Sequence, residues 1–216
     1  GSLAETLAEG RLEQSTAVEL IDQLCQALTV THAQGVIHRD IKPANVLMTR
    51  DGVPKLTDFG LAHIGASKAT ASKRSGTLVG MRAGDELGHV EPSPYMSPEM
   101  LSLEANKRSD LYSLGVIFFK MCSGTLPLAA DTQHPEALAR QILNQPPTSL
   151  QQLVPHVSDE LDALISSLLQ KSASARPPPA GGAGLRLYIA YSPVVALHPL
   201  RLCIVCDTGR GCQGCP

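Results

Sequence analysis

From Leu111 to Met121 the chain is apolar nearly all round, the densest part of a stretch running from Ser109 to Cys122. A helix with no polar face has to be enclosed by other elements, so this segment predicts a helix buried on most sides. No apolar run reaches the roughly 18 residues that would point to a membrane span. Of the 216 residues 43% are hydrophobic and 18% charged. That mixture builds a packed core and excludes wholesale disorder, in one generous domain or two small ones.

Charge and cysteine content narrow the function classes. Lys+Arg number 18 against Asp+Glu 20, a net charge of -2, so electrostatics offers no case for nucleic acid as the main partner. The opening has no basic-then-apolar signal segment. Six cysteines in a chain of this length, without a secretion signal, read as a reducing compartment and a cytoplasmic location. Residues 177–216 differ from the rest: they hold four of those cysteines, six of 16 prolines and six of 18 glycines, with no lysine or glutamate.

Other elements follow from periodicity and punctuation. Leu3 to Leu7 predicts a short helix ending near Gly10. Thr16 and Glu19 have capping-box spacing with Leu12 as a staple. Ala17, Leu20, Ile21, Leu24, Leu28 and Val30 to Ala33 then continue an apolar helical face that Gly35 stops. Val46–Met48 and Pro54–Thr57 read as strands joined through Asp51-Gly52, a hairpin turn signal. Residues 66–94 are polar, glycine-rich and without periodicity, hence a long functional loop. Helices are expected over Pro135–Asn144, with proline at the start, and over Ser158–Gln170, capped by Ser158. The fold class is mainly α with a small β-hairpin.

The chemistry is concentrated in two short motifs. His38-Arg39-Asp40-Ile41-Lys42-Pro43-Ala44-Asn45 stands 13 residues ahead of Asp58-Phe59-Gly60. Phosphoryl transfer from ATP needs a divalent metal on hard oxygen ligands, a carboxylate beside the attacking hydroxyl and a cation near the transferred group. Asn45 and Asp58 can supply the ligands, Asp40 the carboxylate and Lys42 the cation. A hairpin between the motifs would fold them onto one another, so that all four can meet at one point.

These motifs resemble the catalytic and metal-binding loops of the eukaryotic-type protein kinases. Ser97-Pro98-Glu99 resembles the Ala-Pro-Glu motif, Ser109 to Val116 the central buried helix, and Arg176 the late arginine that pairs with the motif glutamate. The wording Ile-Lys-Pro-Ala-Asn is similar to bacterial (Hanks-type) serine/threonine kinases, and Lys42 favours Ser/Thr over Tyr substrates. The resemblance covers residues 1–177, with an activation segment over 58–99. It implies the large, C-terminal lobe of a kinase, the N-terminal lobe missing, so that this chain alone is expected to bind ATP weakly and transfer phosphate negligibly. The glycine loop, strand-three lysine and helix glutamate of the family lie upstream of the catalytic loop. Here residues 1–37 contain glycine only at 1, 10 and 35, and no lysine.

The resemblance also implies roles. Asp40 orients the substrate hydroxyl and accepts its proton, and Lys42 contacts the transferred phosphoryl group. Asn45 and Asp58 hold magnesium, and Leu47 forms the wall under adenine. Arg39 grips a phosphorylated residue of the activation segment, His38 and Phe59 stack between the loops, and Gly60 completes the metal-loop motif. Asp110 anchors the catalytic-loop backbone, while Glu99 and Arg176 form a buried ion pair. ATP and Mg2+ are the expected cofactors and protein substrates the expected partners, with no nucleic acid.

Departures from the pattern lie in the activation segment and the tail. Ser67, Thr70, Ser72, Ser75 and Thr77, among Lys68, Lys73 and Arg74, form a candidate autophosphorylation stretch. The family's Gly-Thr-Pro-x-Tyr reads Glu91-Pro92-Ser93-Pro94-Tyr95 here, with Thr77 to Gly80 as its displaced half. Cys203, Cys206, Cys212 and Cys215 form two CxxC pairs, but five intervening residues are too few for an ordinary zinc site. Residues 178–216 therefore read as a disordered or frame-shifted tail rather than a zinc knuckle. Gly209-x-Gly211-x-x-Gly214 lacks the strand and helix that a dinucleotide loop needs. Cys25 and Cys122 are expected in the core. His63, His89, His134, His156 and His198 have no ligand spacing. The rival reading is a pseudokinase-like interaction module without phosphotransfer. A zinc-binding redox or adaptor protein is the third, resting only on the tail.

Overall fold

Two segments of helix punctuate the first third of the chain. In the computed structural model, which describes residues 1–59, 91–129 and 134–178, α1 spans Leu3–Ala8 and α2 spans Gln14–Ala33. Ser2 caps α1 by accepting a hydrogen bond from the Glu5 N–H. The second helix starts two residues before the expected Thr16 box, from Glu13, which makes no side-chain cap. The reason is tertiary: the Leu12 N–H donates to the Met121 carbonyl at 2.8 Å, so the chain is pinned just ahead of the helix and Thr16 and Glu19 face solvent. At the other end Gly35 has φ +76°. The Gly35 and Val36 N–H groups close back on the His32 and Thr31 carbonyls, the two bonds of a Schellman stop.

The expected hairpin forms. β1 (Val46–Met48) and β2 (Pro54–Leu56) pair antiparallel with Val46 opposite Leu56 and Met48 opposite Pro54. A turn through Gly52, at φ +77°, connects them. Ser2 bridges to Leu47, and the Met48 N–H donates to the Gly1 carbonyl, so the first residues line the free edge of the pair. Thr57, expected in the second strand, instead turns its N–H and hydroxyl onto the Asn45 carbonyl.

The apolar segment lies at the centre, as its composition demands. α3 (Lys107–Ser123) is buried at every position from Ser109 to Phe119. Asn106 and Ser109 form its capping box, and Gly124 ends it at φ +82°. It packs between α2 and α6 (Asp159–Leu168). A methyl group at Gly115 would fall 2.7 Å from Leu168 Cβ, so the α3–α6 approach requires glycine there. α4 (Pro135–Asn144) has the expected bounds. With Met96, Met100 and Leu128, its Leu138 and Ile142 build a smaller second core. The short α5 (Leu150–Leu153) was not expected; the Asp162 carboxylate takes the Leu150 N–H at 2.7 Å and so caps it from α6. Ser158 caps α6 as expected, accepting from the Leu161 N–H.

Among the described residues no helix is long and apolar enough to cross a membrane. Gly60, the hydroxyls of Ser67, Thr70, Ser72, Ser75 and Thr77, the Thr77–Gly80 segment, His63, His89, His198 and the four tail cysteines lie outside the described residues.

Candidate active site

A buried carboxylate organises the loop between α2 and β1. Asp110, in the first turn of α3, is 1% exposed. Its Oδ2 accepts from the His38 N–H at 2.9 Å and its Oδ1 from the Arg39 N–H at 2.9 Å. Presenting two successive N–H groups to one carboxylate puts Arg39 at φ +70°. A non-glycine residue pays about 1–3 kcal/mol for such a conformation unless its surroundings hold it, and Asp110 does so.

The third donor to Asp110 is one that sequence reasoning missed. His32 Nε2 donates to Oδ2 at 2.7 Å, both side chains 1% exposed. Its signal was there: His32 follows Ile21, Leu24 and Leu28 in the apolar register of α2. A polar ring in a core register calls for a buried partner.

His38 is fully buried and binds the two loops together. Its Nδ1 accepts from the Asp40 N–H at 3.3 Å, its Nε2 donates to the Thr57 carbonyl at 2.9 Å, and its ring lies 4.4 Å from that of Phe59. Burial pushes the imidazole below its ordinary value of 6.5, an effect that Asp110, the Thr57 carbonyl and Asp40 offset only in part. The neutral ring with its proton on Nε2 satisfies both bonds.

Asp40, Lys42 and Asn45 converge. The Lys42 ammonium donates to Asp40 Oδ2 at 2.8 Å, and the Asn45 amide donates to the same oxygen at 2.9 Å and to the Asp40 carbonyl at 2.8 Å. The 3₁₀ turn Pro43–Asn45 brings them round. Asp58 is exposed at φ +61°, between Thr57, which is bonded to Asn45, and Phe59, which is stacked on His38. Leu47 is 46% exposed on β1, on the opposite side from buried Val46.

The donor chemistry here fits magnesium with a nucleotide. Both Asn45 amide hydrogens are committed to Asp40, leaving Oδ1 for a cation, and Asp58 offers a second hard oxygen. Among the described residues no three His, Cys, Asp or Glu side chains gather as a metal cage. A small octahedral ion that keeps water and phosphate oxygens as ligands does not need one.

Glu99 and Arg176 meet 77 positions apart in sequence. Their contacts are bidentate, at 2.7 and 2.9 Å. Arg176 spends its remaining donors on the Arg108, Lys171 and Gln170 carbonyls, so all five N–H groups of the guanidinium are satisfied. It also stacks 4.9 Å from the centre of the Tyr112 ring. Burial raises the Glu99 carboxyl, but hydrogen bonds from Arg176 and Ser109 and the guanidinium charge outweigh it, holding the group below its ordinary 4.5. Lys171 is lowered to about 8 by burial and by the Arg176 charge. Cys122 is a core thiol pushed up to about 12 by burial, and Cys25 is buried too.

The comparisons with known proteins agree with this geometry. The protein kinase domain family matches residues 1–181. The chain is 36% identical over 179 residues to serine/threonine-protein kinases PknA of Corynebacterium glutamicum, covering 82% of this chain and 34% of that protein. It is 31% identical over 169 residues to PknB of Mycolicibacterium smegmatis, with 78% and 25% covered. For PknJ of Mycobacterium tuberculosis the identity is 34% over 186 residues, with 84% and 29% covered. The chain thus spans about a quarter to a third of the curated relatives it matches. With the match extending from the first residue through the Glu99–Arg176 pair, this chain belongs to the protein kinase domain family.

Proposed function

We propose that this chain carries the catalytic and metal-binding loops of a serine/threonine protein kinase, which moves the γ-phosphate of ATP to protein Ser/Thr hydroxyls. The observation that carries the reading is the Asp40 carboxylate held between the Lys42 ammonium and the Asn45 amide. Residues 1–177 form the catalytic lobe, 58–99 its activation segment and 178–216 a tail outside it. A cytoplasmic location follows, because ATP and magnesium are supplied there.

The parts we assign to the residues are these. Asp40 orients the substrate hydroxyl and takes its proton as the oxygen attacks. Lys42, already on Asp40, places positive charge where the transferred group becomes more anionic, so stabilisation is electrostatic and set up in advance. Asn45 and Asp58 would hold magnesium, which supplies charge neutralisation for the phosphates when bound. Leu47 offers an apolar wall for the adenine ring. Arg39, whose Nε is buried without a partner among the described residues, would take a phosphate from the activation segment.

Titration with Mg-ATP and radiolabel transfer to a mixed Ser/Thr peptide substrate test the reading. Expected are weak, magnesium-dependent nucleotide binding lost in Asp58→Ala, and transfer that is very slow in the parent chain and absent in Asp40→Asn with binding retained. Nucleotide binding without transfer in the parent chain would favour the interaction-module reading instead. Binding that ignores both Asp58 and magnesium would overturn the site.

A further inference from the structure

Behind Lys42 the surface opens into a cavity of about 280 Å³. Leu7 of α1, Pro43 and Tyr95 form its apolar walls, and among the described residues its charged lining is Lys42 and Lys120. The two lysines are not equivalent. Lys42 gives its ammonium to Asp40 at 2.8 Å. Among the described residues Lys120, half-buried near the end of α3, meets no carboxylate, and no acidic side chain lines the cavity. Tyr95, pushed up to about 12 by burial, stays neutral and adds no negative charge.

Two lysines on the lining of one cavity whose described residues carry no carboxylate add their positive fields, so an anion entering the cavity gains more there than on open surface. The position relative to Asp40 limits what that anion can be. Lys42 both lines the cavity and holds the Asp40 carboxylate, and a lysine side chain reaches about as far as two residues of extended polypeptide. A chain delivering its hydroxyl to Asp40 therefore lays a neighbouring side chain in the cavity.

We infer that this cavity is a specificity site for an acidic residue, aspartate or glutamate, within about three positions of the phosphorylated Ser or Thr, read by Lys120. The inference rests on the kinase reading for the position of the acceptor hydroxyl, but the charge preference itself is a binding property. Its occupant is set by charge complementarity: lysine- or arginine-bearing peptides would bring a third cation against Lys42 and Lys120.

Fluorescence anisotropy with the full chain tests it. The probes are labelled serine peptides carrying Glu, Gln or Lys at each of three positions on either side of the serine. At one or more positions Glu binds about tenfold tighter than Gln, and Lys weaker than Gln. Lys120→Met erases this ranking, Lys120→Glu inverts it, and Arg140→Glu, an equal charge change on α4 away from the cavity, leaves it intact. Circular dichroism melts confirm that the variants remain folded. An unchanged ranking in both Lys120 variants, or no peptide binding at all, overturns the inference. The Mg-ATP titration separates the two levels. If nucleotide binding fails while the Lys120-dependent ranking persists, the kinase reading falls and the acidic-peptide site stands. If nucleotide binds and the ranking is absent, only the specificity site falls.

Discussion

Asp110 and Glu99 are both largely enclosed carboxylates tied to the N-terminal end of α3, yet they hold the molecule in different ways. Asp110 takes three donors: two backbone N–H groups and an imidazole. What it secures is a loop conformation, Arg39 at φ +70°. Glu99 takes a guanidinium and a serine hydroxyl, and what it secures is the packing of distant segments, residues 99, 108 and 170–176. The first carboxylate serves the position of Asp40. The second serves the integrity of the lobe. Removing either should therefore give different ratios of lost stability to lost activity.

The largest expected effect is at the second. Arg176→Ala strands Glu99 in a mostly buried setting and frees three carbonyls, which costs about 3–5 kcal/mol. Chemical denaturation of the variant against the parent chain measures it, and a loss below about 1 kcal/mol would show that the clasp is dispensable.

Asp110→Asn comes next and inverts the balance. The amide turns an N–H group toward donors, so stability falls by only about 1–3 kcal/mol. Phosphotransfer, or Asp40-dependent peptide binding where turnover is slow, drops about a hundredfold, because a misplaced group loses its orientation. Equal percentage losses in both quantities would erase the distinction between the two carboxylates.

pH separates them without mutation. His38 sits below 6.5 in the folded chain, so on acidification the unfolded chain takes up the proton first. Its contribution is complete above 6.5 and drains away as pH falls through the folded value. Glu99, held below 4.5, keeps its contribution through that window and loses it only at lower pH. The denaturant midpoint should therefore decline in two stages, and His38→Phe should flatten the upper one. A single stage below 4.5 in the parent chain would contradict the assignment of His38.

The smallest effect belongs to His32→Ala. Asp110 keeps its two backbone donors, so the loss is about 1–2 kcal/mol, smaller than that of Asp110→Asn in activity. Measuring both in one background shows whether His32 supports the loop only through Asp110; losses that add in the double variant would mean that it does not.

Much of the site was legible because its signals are local. Asp40, Lys42 and Asn45 lie within six positions, and a turn as short as Pro43–Asn45 leaves them few ways to avoid each other. Gly35, Gly52 and Ser158 each did the local work their type implies. The start of α2 was less legible, since Thr16 and Glu19 have the right spacing but the Leu12–Met121 bond governs where the helix begins. α5 escaped because four residues carry no period, and its cap comes from Asp162 on another helix.

The sequence by itself determined that a helix apolar on all sides would sit at the centre, that a hairpin would join the two motif-bearing loops, and which short-range groups would meet at Asp40. These rest on interactions within a few residues, where composition and spacing leave little freedom. Only the tertiary structure decided that His32 joins Asp110 across 78 positions and that Lys120 lines the same cavity as Lys42. Such pairings depend on how α1, α2 and α3 pack, and packing is set by the sum of many weak contacts that no single segment encodes.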